Sequence, residues 1–577
     1  MGGICSRKRG QEVNEEGVRR GITRKYSKSG SSKWLGASFG RPVEPETRKN
    51  GVPSLLELCI YKISQDVDRY KSFSLLPRDL SQQIFDELVY TERLNYENMQ
   101  AFRDCALQDL CLGEYPEVDD KWMDVISSQG SSLLSVDLSG SNVTNIGVGL
   151  LKDCSNLQAL AFNFCDLISD DGLRHISGLS NLTTLSFKRN NKIKGEGMRA
   201  FSNLVNLVKL DMERCSEIQG GLVHLKGLKK LESLNLRCCK CITDSDMVSL
   251  AGLSNLKELQ IASSAVTDAG ISYLKDLRKL VLLNLEGCRV TAICLGTISA
   301  LVALLYLNLS RCCITDVGSE KFRGVKSLKV LNLGFNNITD ACLLHLRGLT
   351  NLESLNLDSC GIGDEGMAHL SGLSKLRNLE LSDTEVGSSG LRHITGLTTL
   401  ESINLSFTLV SDGGLKKLSK LASLRSLNVD SRHISDAGLS NLTGLTGLTS
   451  LDLFGARITD YGTNFLSHFK NLQSLEICGG ALTDAGVQNF KGLSSMTLLN
   501  ISQNSALTDK TLEIISGLTQ LASLNVSNSR ITDGGLKHLK SLKNLRTLTL
   551  ESCRVTAAEI RKLQSTDLPN LVSFRPE

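Results

Sequence analysis

Residues 352–375 read LESLNLDSCGIGDEGMAHLSGLSK. The opening L-x-x-L-x-L alternates with a period of two, which predicts a short strand. Cys360 follows eight residues after the first Leu, where Asn190, Asn336 and Asn504 stand in other copies of the pattern. A small side chain there fills the turn and satisfies loop backbone groups. The next piece, I-T-D-x-G-L-x-x-L-x-G-L, is seen at residues 338–349 with Cys342 in the first Gly place. Its Thr-Asp pair is suited to capping a helix, and its Leu spacing to one buried helical stripe. The trailing Gly348 lets the chain leave that helix.

Outward from this stretch the pattern recurs every 24 or 25 residues, from Leu133 to a last unit at Leu545, eighteen units in all. A degenerate unit, Leu107-x-x-Leu110-x-Leu112, precedes them as a cap. The pattern resembles the leucine-rich repeat family in its cysteine-containing, ligase-associated subtype. The resemblance implies an α/β fold: a right-handed horseshoe solenoid with a parallel sheet on the concave face and helices outside. Nineteen strands at about 4.8 Å would give a sheet contour of about 90 Å. Three segments result: a basic tail over 1–50, a helical segment over 51–106, and the solenoid over 107–577.

Composition narrows the function. Apolar residues reach 41% but aromatics only 5%, so the core is aliphatic; fifty Gly against seven Pro fit Gly at fixed structural places. Residues 1–50 carry twelve Lys/Arg and five Asp/Glu, leaving 53 basic and 56 acidic side chains for the body, which disfavours nucleic acid as its partner. No apolar run approaches a membrane span, and no secretory leader is legible at the start. The eighteen Cys are therefore read as free thiols in a reducing compartment. Seven of them (Cys165, Cys215, Cys239, Cys288, Cys312, Cys360 and Cys553) share one repeat place and read as packing residues. Cys238, Cys239 and Cys241 lack a second ligand pair at zinc spacing. Six of the eight His share one helix place and read as surface packing. No P-loop, nucleophile elbow or HExxH is present, so neither an enzyme nor a cofactor is expected.

Alternation sends the third, fifth and seventh residues of each unit to the concave surface. Asn fills the fifth place in nine units and reads as a structural hydrogen-bonding row. From Glu258 onward every charged residue at these places is acidic, including Glu286, Asp358, Glu380, Asp430, Asp452 and Glu476. Phe335, Phe407 and Phe454 lie near the mouths. Such a strip suits a basic, partly apolar segment of a protein partner; the alternative is a solvated polar face.

Two N-terminal motifs remain. Met1-Gly2-Gly3-Ile4-Cys5-Ser6 resembles an N-myristoylation signal, with Gly2 the acceptor and Cys5 a palmitoylation candidate. Arg7, Lys8 and Arg9 would add attraction to anionic lipid at the cytosolic face of the plasma membrane. The other reading is a disordered basic tail or a nuclear import signal over 19–28, in a cytoplasmic or nuclear protein. Leu55, Cys59 and Ile63 share one helical face and resemble the BC-box that binds elongin C. Leu76, Pro77, Leu80 and Ile84 resemble a cullin box, or equally the start of an F-box that binds a Skp-type adaptor. Where an F-box later supplies Trp, residues 101–105 have none. The resemblance implies a substrate receptor of a cullin-type ubiquitin ligase. A membrane-anchored scaffold or signalling protein, with 51–106 as a plain cap, is the alternative.

Overall fold

The computed structural model describes residues 54–113 and 115–575. Among them, twenty short strands, from β1 (Asp109–Cys111) to β20 (Ser573–Arg575), form one open parallel sheet. Each strand pairs with its neighbours in sequence, and equivalent places stack: Leu331 lies opposite Leu355, and Asn332 opposite Asn356. One strand exceeds the expected nineteen, because the segment after the last helix (Ala557–Thr566) adds β20 beside Thr547–Thr549. That piece matches the start of a unit, with Leu571 and Phe574 at its first and fourth places.

The unit at 352–375 shows how the core is made. Leu352, Leu355, Leu357, Ile362, Met367, Leu370 and Leu373 are all buried, between the sheet and the outer layer. Burying one such side chain contributes about 2 kcal/mol. A single unit has no second layer to cover it, so the stack is stable only as a stack. The apolar core runs without a break from Ile60 to Leu571.

The outer connectors are short. Asp340–Leu346 is a seven-residue α-helix, while the equivalent Gly366–Leu370 and Gly390–Ile394 are 3-10 turns. A 24-residue unit leaves room for about two turns, and the tighter helix spans the same layer with fewer residues. The expected Thr-Asp cap divides its work. Thr339 caps its own helix by accepting from the Ala341 N–H. Asp340 instead reaches the next unit, where its Oδ1 accepts from the Gly363 N–H at 2.8 Å. Asp412, Asp436 and Asp460 likewise hold Ser435, Thr459 and Thr483, accepting both N–H and hydroxyl.

At the N-terminal end, α1 (Leu55–Gln65) packs on α2 (Arg78–Tyr90), followed by α3 (Tyr96–Met99). Ser54 and Glu57 form a capping box at the start of α1. The amide of Gln82 on α2 closes the sheet edge: Nε2 donates to the Asp109 carbonyl at 2.7 Å, and Oε1 accepts from the Gln108 and Asp109 N–H groups. One side chain thus takes the place of a preceding strand.

Candidate functional site

The open face of the sheet is the larger candidate surface. The Asn row is structural: Oδ1 of Asn356 accepts from the Asp358 N–H at 2.8 Å, and Asn284, Asn308, Asn332, Asn404, Asn428, Asn500 and Asn525 repeat the bond. Each satisfies the N–H two residues on, beyond the three-residue strand.

The acidic residues sit among these amides. Asp452 accepts from the Phe454 N–H at 2.9 Å and from Asn428 at 3.0 Å. Glu476 accepts from Asn500 at 2.9 Å, Asp358 from the Ser359 and Ser382 hydroxyls, and Glu380 from the Ser382 N–H. Glu258 accepts from the Ser233 hydroxyl, and Glu286 lies 3.4 Å from Asn308. Among the described residues, no Lys, Arg or His forms an ion pair with Asp358, Glu380, Asp430, Asp452 or Glu476. Burial, reinforced by Glu476 and Asp430, pushes the Asp452 carboxyl up to about 6. Burial raises Glu380 and Asp430 as well. Nearer the N-terminus the face neutralises itself: Lys188 pairs with Asp211 at 3.1 Å and with Glu213 at 3.8 Å.

Three aromatics flank this strip. Phe407 is 69% exposed, Phe335 41% and Phe454 38%. Phe335 carries the Arg311 guanidinium 3.8 Å above its ring, a cation–π pair that reading along the sequence did not find. Both residues hold the eighth place of their units with left-handed backbone, φ 59° at Phe335 and 54° at Arg311. The sequence does carry a signal for that conformation: no β-branched residue occupies the eighth place in any unit.

The repeat-place cysteines bond backward into the stack. Cys360 Sγ lies 3.3 Å from the Leu333 carbonyl of the preceding unit, and Asn336 makes the matching bond to Leu309 at 2.8 Å. Burial pushes the Cys360 thiol up to about 11. Cys239 and Cys241 turn to different carbonyls, those of Met212 and Cys215.

The second candidate surface is the outer face of α1. Leu55 is 79% exposed, Cys59 is exposed, and Leu56 and Leu58 lie open beside them, while Ile60 and Ser64 face inward. Ile63 is half-buried against the core. Leu76 and Pro77 are exposed and Leu80 is half-buried. Ile84 departs from the expectation of an adaptor contact: it is 1% exposed and lies in the core with Phe85 and Leu88. The helical period that places it after Leu80 turns it toward the solenoid. Gly2 and Cys5 lie outside the described residues.

Residues 266–511 match the family described as a leucine-rich repeat region, and residues 153–177, 178–202 and 227–251 match single leucine-rich repeats. No curated protein sequence matches the chain. Among solved structures, it is similar to an internalin from Listeria monocytogenes, at 27% identity over 58% of this chain and 88% of that one, with a TM-score of 0.44. A leucine-rich repeat protein of Leptospira interrogans is 20% identical over 76% of this chain and 94% of its own, with a TM-score of 0.40. The ectodomain of the Arabidopsis receptor kinase HAESA, in complex with a peptide hormone, is 17% identical over 77% and 78%, also with a TM-score of 0.40. On its repeats and their family matches, the chain belongs to the leucine-rich repeat proteins.

Proposed function

We propose that the chain is a substrate receptor of a cullin-type ubiquitin ligase. The observation that carries this reading is the open apolar face of α1, where Leu55, Leu56, Leu58 and Cys59 meet solvent although the core of the cap lies on the opposite side. Exposed leucines grouped on one short helix mark a docking face rather than a solvated one. An elongin-C-type adaptor would take Leu55 and Cys59; Leu76 and Pro77, also exposed, would contact the cullin or a Skp-type adaptor. The acidic half of the sheet would hold a basic, partly apolar segment of the target protein, and the transfer chemistry would belong to partner subunits. Acylation at Gly2 and Cys5 would place the assembly on the cytosolic face of the plasma membrane.

The test is co-purification from cells. Leu55→Asp with Cys59→Asp should abolish capture of adaptor and cullin while leaving the melting temperature unchanged, since both residues are exposed. Identical partners for wild type and variant would leave a membrane-anchored scaffold with no ligase role. Gly2→Ala, followed by membrane fractionation and fatty-acid labelling, tests the anchor separately.

A further inference from the structure

The acidic half of the sheet has an occupant of matching chemistry within the same chain. Five carboxylates, Asp358, Glu380, Asp430, Asp452 and Glu476, share one face with no ion-paired cation among the described residues, beside the exposed ring of Phe407. Residues 19–41 hold seven Lys/Arg and no Asp/Glu, interleaved with Tyr26, Trp34 and Phe39. We propose that residues 19–41 of the same chain dock on this acidic face.

Geometry permits it. The strip runs from β11 (Ser354–Asn356) to β16 (Ser474–Glu476). At about 4.8 Å per strand it lies roughly 48 to 72 Å along the sheet from β1. The connection to Ser54 spans about 43 Å from residue 41 and about 115 Å from residue 19 when extended at roughly 3.3 Å per residue. Residues 25–28, about 86 Å or more of extended chain from Ser54, therefore reach every strand of the strip with about 14 Å to spare. The first part of the face is a poorer host: Lys188 already neutralises Asp211 and Glu213 there, and Lys209 adds positive charge. Tethering raises the local concentration of the segment to about millimolar, so modest affinity suffices for self-coverage. The raised Asp452 carboxyl, pushed up by burial and by its acidic neighbours, is where an incoming cation relieves the most repulsion.

The proposal uses the same face as the ligase reading but does not need the adaptor. It is tested on the full chain by zero-length carbodiimide coupling, with peptide mapping of an equal mixture of unlabelled and ¹⁵N-labelled protein. Lys25, Lys28 and Lys33 should couple to the five carboxylates within one chain. The yield should fall about tenfold in 1 M salt, where the screening length is about 3 Å. It should fall similarly in R19E/R20E/R24E, which keeps the reporting lysines. No such links, equal coupling to Glu320 and Glu365 on the helical side, or links only between differently labelled chains would overturn it. Adaptor capture through Leu55 and Cys59, measured on the same preparation, succeeds or fails independently, so the two readings are separated.

Discussion

The carboxylate of Asp509 fills the space into which a side chain on Gly535 would grow: a β-carbon there would stand 2.5 Å from Asp509 Oδ1. The same carboxylate accepts the N–H and the hydroxyl of Thr532, each at 2.7 Å. Asp364 stands in the same relation to Gly390, 2.6 Å from a β-carbon, and accepts from the Gly387 N–H. The T-D-x-G sequence is therefore half of a lock whose other half lies in the neighbouring unit. Asp crosses to the next helix start, and Gly leaves the room for it.

Gly535→Ala should destabilise by about 2 kcal/mol, because the Asp509 carboxylate, held by its two bonds to Thr532, must shift to make room. Asp509→Ala should cost about 1 kcal/mol through the lost cap. In the double variant the clash is gone, so the effects should be non-additive by more than about 0.5 kcal/mol. Denaturant titration of the four proteins gives the cycle; simple addition would refute the lock.

Leu333 is fully buried, and its carbonyl accepts from Asn336 and Cys360. Leu333→Asp should unfold at least the adjoining units, since a charge there has neither water nor partner. Amide exchange should show protection lost over about 304–375 while distant units keep it. An unaltered exchange pattern and melting temperature would contradict the register.

Asp452 has a folded pKa of about 6, above its unfolded value of about 3.9. The fold favours its protonated form. That contribution is complete below about pH 4 and is lost as pH rises through 6. Asp452→Asn supplies the residue that most other units carry at the fifth place and keeps an acceptor for the Phe454 N–H. The variant should therefore gain about 1 kcal/mol on wild type between pH 4 and pH 7.5. Parallel stability profiles would show that burial does not govern this carboxyl.

Gln82→Ala removes the side chain that satisfies the edge of β1 at Gln108 and Asp109. The loss should be about 1–2 kcal/mol and confined to the cap. Hydrogen exchange at 107–112 should quicken with little change in the main thermal transition. Unchanged exchange there would show that another group closes the edge.

The sequence by itself determined the solenoid, its period, the strand and core places, and the structural character of the Asn and Cys rows. These are legible because each unit repeats the same local physics: alternation makes a strand, Leu spacing makes a buried stripe, and stacking copies the result. Tertiary structure alone decided what depends on the neighbouring unit or on which side of a helix is covered. Asp340 bonds across to Gly363 rather than within its own turn. Arg311 and Phe335, 24 residues apart, meet as a cation–π pair. Ile84 and Leu55 look alike as apolar helical residues, yet one is sealed against the solenoid and the other faces solvent. Periodicity gives the phase of a helix face, but only packing gives its direction.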